Sequence, residues 1–576
     1  MSFKRIAKPR IETSAALVGT AFSAMLLVLT AMNAGPLWRD ETATFNLAHM
    51  PSLRDVWQNL QFDSFPALWP LVVRGCGILG LADGDMGIRI LGLGIGLFFL
   101  ASLWLCQSWL GGRAPILSIA LLGALPALIF IVGANRAYGL ASCLLVLSFG
   151  TIWRILESPT KSRILSAGFI CLLFARCVYY DVIFLGAMLA AGALVAIRRQ
   201  QWKILWTMAG IGLVAGVSLF IYLPVIHQNP GYLPFWRSPF FNAATIWNGL
   251  GDALAARSSA KTNGANGPQI WIWIGLLLAG VVAAIMMQRT CVHRGPKPRT
   301  RVHRGPKAKN ASKSANPERS DQALFCVTSV ILGIIGYLGF VLKLQQFVQP
   351  WYYVEVLSLC AISFDGILIA NWPALRPWGL VRIGFLAMMM ILNAGPAWAE
   401  AHTRRSNVDV VAAFLSHNAL PSDLIVVQDT WEAITFNRYY RGQAQWFAVP
   451  PIDSHDVYRI DQVMAKMNQP EAMTLVLHAI TNTLTSSQRV WVVGSIPIAR
   501  WKDAPPGPTP LPPLPSEMPT RWWGGSYLNW WNQQVTTLLL DHAEQGKAET
   551  IAALGPVNHL ENVSVVRFRG YKPGSE

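Results

Sequence analysis

The sequence predicts a polytopic α-helical membrane protein, with about eleven transmembrane helices, that ends in a soluble α/β domain. Three observations carry this expectation. Of the 576 residues, 53% are hydrophobic and only 13% are charged, whereas a soluble chain carries about a quarter charged. Eleven stretches before residue 397 are apolar and approach the roughly 20 residues a helix needs to cross a bilayer. Charge is also partitioned: residues 1–396 hold 33 Lys and Arg against 14 Asp and Glu, a net +19, while residues 397–576 hold 14 against 16, a net −2. These values exclude an ordinary cytosolic enzyme and a disordered chain. The overall +17 belongs to the membrane part, so it is a topological signal and not the footprint of a nucleic-acid partner.

The predicted spans are 13–34, 87–110, 114–132, 137–156, 163–180, 182–198, 203–226, 270–288, 323–343, 351–370 and 378–396. Lys4, Arg5, Lys8 and Arg10 precede the first span and hold the N-terminus in the cytoplasm. A further apolar stretch, 66–82, contains Pro66, Pro70 and Arg74. If it crossed, parity would put three basic segments outside: Arg154–Arg163, Arg198–Lys203 and the loop 289–322, which carries ten Lys and Arg against two acids. Read as an amphipathic helix on the outer surface, it leaves all three inside. The loop 289–322 contains a near-duplicated VHRGPK at 292–297 and 302–307 and suits contact with anionic lipid. The outer face then carries the loop 35–86 with its juxtamembrane helices, and the whole region after 396.

The eight cysteines all lie at or before Cys360, none with zinc-type spacing. Residues 397–576 read as a periplasmic α/β domain. Strands are expected in DLIVVQD (423–429), AQWFAVP, RVWVVGS (489–495) and VSVVRFRG (563–570). Helices are expected in AITFNRYY, EAMTLVLHAITNTL and VTTLLLDHAEQGKAETIAAL. Residues 504–519 form a proline-rich insert without regular structure. No GxGxxG occurs, so no nucleotide site is assigned.

Ionisable residues at membrane boundaries are costly and therefore informative. Five outer-face segments carry them: Asp40 and Glu41 in WRDETATFNLAH, with Asp63 later in the same loop; Arg89 at the start of the second span; Arg136 and Tyr138 in GANRAYGL; Arg176, Tyr179, Tyr180 and Asp181 in ARCVYYD; and Lys343, Trp351 and Tyr352 in KLQQFVQPWYY. Their common depth suggests one polar cavity at the outer leaflet. A carboxylate that takes a proton from an acceptor hydroxyl, beside cations that hold a phosphate, suits group transfer from a lipid-linked phosphate.

The order of these features resembles the GT-C superfamily of membrane glycosyltransferases, in the branch of protein O-mannosyltransferases and the lipid A aminoarabinose transferase (glycosyltransferase family 39-like). That family places an Asp-Glu pair in a large outer loop after its first span, as Asp40-Glu41 stand here. Its D-x-H-P-P-L-like motif is matched by Asp63, Pro66 and Leu68, without the histidine. Arg89 matches an Arg near the start of the next span. Asn135-Arg136-Ala137-Tyr138 match an A-R-P-Y-like turn without its proline. Val178-Tyr179-Tyr180 loosely match a T-H-Y-like turn, and Trp351-Tyr352 match a late R-Y-L-like motif with Trp for Arg.

The resemblance covers roughly residues 11–400 and the plan of the C-terminal domain. It implies an inverting transferase of a polyprenyl-phosphate sugar in the bacterial inner membrane, with a glycan, lipid or protein acceptor in the periplasm or cell envelope, lipopolysaccharide included. Asp40 would be the general base and Glu41 its support. Donor-binding candidates are Asp63, Arg89, Arg136, Tyr138, Arg176, Tyr179, Tyr180, Asp181, Lys343 and Tyr352; among the phosphate contacts only Arg136 and Tyr352 rest on family motifs. Some members of the superfamily use a divalent cation and others do not. The C-terminal domain would be a lid or scaffold that helps select the acceptor. Two alternatives stay open: a polysaccharide or lipid transporter or flippase, which would show inverted repeats not found here, and an inactive relative serving as an assembly subunit.

Overall fold

The computed structural model describes residues 8–81, 84–228, 235–238, 241–255, 267–292, 317–346, 348–371, 378–469, 471–494, 524–551, 553 and 555–572. The proline-rich insert 504–519 and most of the basic loop 289–322 lie outside the described residues.

Helix α1 (Lys8–Asn33) is followed by a cluster of short helices at one end of the bundle: α2 (Arg39–Ala48), α3 (Leu53–Asn59) and α4 (Leu68–Ile78). Then come α5 (Asp85–Trp109), α6 (Ile116–Leu122), α7 (Pro126–Val132), α8 (Ala137–Glu157), α9 (Lys161–Ala175), α10 (Asp181–Arg198), α11 (Trp202–Val217) and α12 (Leu223–Gln228). The membrane part closes with α13 (Ala243–Ala255), α14 (Pro268–Val292), α15 (Pro317–Leu344), α16 (Val354–Ala370) and α17 (Gly379–Ala401). Among the described residues, nine helical segments are long and apolar enough to cross a membrane. The protein is a multi-pass membrane protein.

Two of the expected spans differ. The stretch 114–132 is two seven-residue helices, α6 and α7. Pro126 opens the second, because a proline ring cannot continue the preceding turn but suits a helix start. The first amides of α6 have no partner within their own helix, and the buried Asp365 of α16 caps two of them, accepting from Leu117 N at 3.1 Å and Ser118 N at 2.9 Å. The stretch 163–180 is the 15-residue α9 plus a turn. Helix α4, within 66–82, has 11 residues. It rises about 16 Å, half the hydrocarbon thickness. Arg74 ties it to the end of α2, donating to Ala48 O and Met50 O at 2.9 and 2.6 Å.

The C-terminal region holds α18 (Val408–Asn418), β1 (Leu424–Gln428), α19 (Glu432–Tyr439), β2 (Gln445–Val449), α20 (Ile460–Met467), α21 (Thr474–Thr485), β3 (Val490–Val493), α22 (Gly524–His542), β4 (Ala543–Glu549) and β5 (Val565–Tyr571). The sheet order is β2-β1-β3-β5-β4, with the first three strands parallel and the last two antiparallel. Alternation sorts the strand side chains between two cores. Leu424, Val426, Val490 and Val492 pack with α20, α21 and α22, whereas Ile425, Val427, Trp491 and Val493 pack with α18 and α19.

The helical expectation for VTTLLLDHAEQGKAETIAAL holds only to His542. Ala543–Glu549 is the edge strand β4. Gly546 weakens a helix there, and pairing with β5 satisfies the backbone instead. The strand is exposed apart from its ends and carries Lys547 and Glu549, as an edge requires.

Replacing Asp365 by Ala would leave two buried amides without an acceptor, a loss of about 2–4 kcal/mol. The expected outcome is a clearly lower melting temperature in detergent for Asp365→Ala, partly recovered in Asp365→Asn. An unchanged melting temperature would contradict the capping role.

Candidate active site

The site begins with the N-terminus of α2. Gly35, at φ +67°, turns the chain after α1, and Trp38 precedes the first helical turn. Consecutive helix residues point about 100° apart, so Asp40 and Glu41 face different surroundings. Glu41 is fully buried. Its carboxylate accepts from both Arg89 terminal nitrogens, at 2.5 and 2.9 Å, from Asn135 N at 2.8 Å and from Trp38 N at 3.2 Å. Arg89 also donates to Pro36 O at 2.7 Å. Glu41 and Arg89 therefore bolt α2 to α5 and to the turn before α8, and neither lines the cavity.

Asp40 faces a cavity of about 640 Å³ at this end of the bundle. Its side chain keeps 21% exposure. Arg136, at the start of α8, reaches it: one guanidinium nitrogen lies 3.7 Å from Asp40 Oδ2, and another donates to Asp40 O at 3.1 Å and Thr44 Oγ1 at 3.0 Å. The same guanidinium lies 3.9 Å from Asp63 Oδ1 and 4.3 Å over the Phe65 ring. Asp63 accepts from Thr44 Oγ1 at 3.1 Å and Ser64 N at 2.6 Å. Burial pushes the Asp63 carboxyl above its usual range, with Arg136 opposing. On its other oxygen Asp40 accepts a hydrogen bond from the hydroxyl of Tyr458, which belongs to the C-terminal domain.

Of the residues singled out in the sequence, Asp40, Asp63, Arg136, Tyr138, Tyr179, Tyr180 and Tyr352 line this cavity. Besides Glu41 and Arg89, three others do not. Arg176 donates to Ser218 Oγ at 3.3 Å, buried Asp181 accepts from Val178 N at 3.0 Å, and Lys343 is exposed on α15. The tyrosines form a packed wall: the Tyr138 and Tyr352 rings are 5.9 Å apart, and the Tyr180 hydroxyl donates to Glu355 at 3.0 Å. Sequence reading missed Arg39, Trp236, Trp431 and Tyr458, which also line the cavity. A signal for the first existed, since Arg39 adjoins Asp40. The other three sit in loops with no membrane depth to mark them.

The two cavity carboxylates are bridged by Arg136, and among the described residues no three acidic, histidine or cysteine side chains could hold a metal ion.

The chain is similar to solved structures at low identity. One is ArnT from Cupriavidus metallidurans bound to undecaprenyl phosphate, at 12% identity and TM-score 0.36 over 96% of this chain and 98% of that one. Another is the apo oligosaccharyltransferase of Archaeoglobus fulgidus, at 11% identity and TM-score 0.45 over 87% and 71%. No protein-family model matches the chain, and no curated protein does. The functional reading therefore rests on the sequence and on the cavity itself.

The C-terminal domain is seated directly on the loop that carries Asp40 and Glu41. Arg438 and Tyr439 of α19 donate to the two oxygens of Asp85 at 2.7 and 2.5 Å, and Tyr439 accepts from Leu37 N at 2.8 Å. Arg405 donates to Phe130 O at 2.7 Å and lies 3.8 Å over that ring. Arg39 donates to Leu560 O at 3.1 Å, and its amide to Glu561 Oε1 at 3.2 Å. Glu561 also accepts from Thr435 Oγ1 at 2.8 Å. Burial pushes its carboxyl up to about 7, against the pull of Arg39. Asp429 and Glu432, further acids on the same side of the sheet, are raised by burial as well.

A raised carboxyl pKa means that the folded state holds the proton longer than the unfolded chain does. Stability from Glu561 is therefore complete below its unfolded pKa and declines as pH rises through about 7. The expected outcome is a melting temperature that falls between pH 5 and pH 8, with a shallower fall in Glu561→Gln. Equal slopes would remove Glu561 as a source.

Proposed function

We propose that this protein is an inverting glycosyltransferase that moves a sugar from a polyprenyl-phosphate donor to a hydroxyl of a cell-envelope acceptor, with Asp40 as general base. The observation that supports it most is the setting of Asp40: a partly exposed carboxylate in an aromatic-walled cavity, already accepting a hydroxyl on one oxygen and flanked by Arg136 on the other. A neutral hydroxyl is a weak nucleophile until its proton is taken. In the proposed step the acceptor O–H proton passes to Asp40, the acceptor oxygen bonds the sugar's anomeric carbon, and the bond from that carbon to the phosphate oxygen breaks. The electron pair leaves with the phosphate, and attack from the opposite side inverts the centre. Charge grows on the leaving phosphate, which fixed donors stabilise. Arg136, with the hydroxyls of Tyr138 and Tyr352, is our assignment for that role, and Arg39 adds a second cation. Asp63 holds Arg136 in place, and Glu41 with Arg89 holds Asp40.

The donor class follows from the resemblance of the sequence to the GT-C superfamily. Membrane placement follows from charge. Arg154–Arg163, Arg198–Lys203 and the start of α15 each lie one long helix away from the cavity, at the far ends of α8, α10 and α15. Basic segments stay in the cytoplasm, which favours an outward-facing cavity, a cytoplasmic N-terminus and a periplasmic C-terminal domain in a bacterial inner membrane.

The test is release of undecaprenyl phosphate from an undecaprenyl-phosphate hexose by protein in nanodiscs supplied with an envelope extract. Asp40→Asn is expected to lower kcat by about 10²–10⁴ with little change in donor KM, and Arg136→Ala to raise donor KM. Equal turnover by wild type and Asp40→Asn would reject Asp40 as the base.

A further inference from the structure

Tyr458 enters the cavity from the loop between β2 and α20, and that loop is pinned on both sides of it. Asn46 of α2 donates to Asp456 O at 2.9 Å, and the Arg459 guanidinium lies 5.0 Å over the Phe62 ring. The Tyr458 ring packs against Trp431 at 5.3 Å and Trp236 at 6.2 Å, and all three line the cavity. Burial beside Asp40 holds the phenol protonated well beyond its ordinary range, so it reaches the carboxylate as a neutral O–H donor.

An acceptor hydroxyl has to make the same O–H···O contact with the same carboxylate before Asp40 can take its proton. An acceptor hydroxyl that approaches Asp40 Oδ1 along the line the phenol uses has to replace it. We propose that Tyr458 marks the acceptor-hydroxyl subsite and fills it as a placeholder, so that the acceptor binds by displacing the phenol from Asp40. The space it leaves is walled by Trp236 and Trp431. Indole faces carry negative charge and attract the C–H face of a pyranose ring, so the subsite favours a glycan hydroxyl over a peptide one. The inference rests on the reading of Asp40 as the base. It gives the C-terminal domain a part in acceptor choice: only an acceptor with a ring to replace the phenol gains the full exchange.

The experiment places 3-fluorotyrosine at position 458 of the full-length protein in nanodiscs and follows its fluorine NMR signal. Methyl α-D-glucopyranoside is expected to shift the resonance and N-acetylthreonine amide to leave it in place. In parallel, Tyr458→Phe keeps the ring packing and loses only the hydroxyl, with melting temperature as the check on folding. Removing a hydrogen bond to a charged group should raise hexose transfer to the methyl glucoside by about tenfold. A resonance that the glucoside does not move, a shift produced by the threonine amide alone, or slower transfer by folded Tyr458→Phe would each overturn the proposal. A resonance that the glucoside moves, in a protein whose wild type and Asp40→Asn forms consume donor equally, would support the displacement and reject the reaction instead.

Discussion

One buried carboxylate organises the cavity end of this protein. Glu41 takes four donors, two from the Arg89 guanidinium and two from backbone amides, and has no exposure to solvent. Charge-assisted, two-pronged pairing of this kind fixes orientation as well as distance. It joins the loop after α1, the start of α5 and the turn before α8, which are far apart in the chain. Because α2 is a helix, fixing Glu41 also fixes the direction of Asp40. Two adjacent acids thus divide into one that is consumed by structure and one that faces the cavity.

The same loop is where the two parts of the chain meet. Leu37 N, Arg39 and Asn46 are engaged by Tyr439, Leu560 with Glu561, and Asp456. A lid resting elsewhere would leave Asp40 open to the cavity alone; this domain instead completes the wall with Trp431, Tyr458 and Leu560. The acids beneath the contact, Asp429, Glu432 and Glu561, are buried near the Arg39 cation and have raised pKa values.

Much of this was legible in the sequence because hydrophobicity and charge are one-dimensional signals. Long apolar runs located the spans, and the basic segments separated 66–82 from them. Depth along the membrane normal is also readable from sequence, and it brought Asp40, Asp63, Arg136, Tyr138, Tyr179, Tyr180 and Tyr352 to one level. Depth says nothing about direction around a helix axis. Arg176 and Lys343 share the level, yet one turns to Ser218 and the other lies exposed. Asp181 likewise caps its own turn. Tyr458 was invisible because its role depends on a contact with Asp40 across more than 400 residues. The strand β4 was missed because its pairing with β5, a tertiary contact, overrides a helical composition.

The division of labour between Asp40 and Glu41 is tested most directly by comparing Asp40→Asn with Glu41→Gln for both melting temperature and transfer from an undecaprenyl-phosphate hexose. Glu41→Gln leaves the Arg89 cation buried without its counter-charge, a loss of about 3–5 kcal/mol. That variant should melt far below wild type, while Asp40→Asn should melt near wild type and lose transfer. An Asp40→Asn protein that transfers normally, or a Glu41→Gln protein as stable as wild type, would contradict the account.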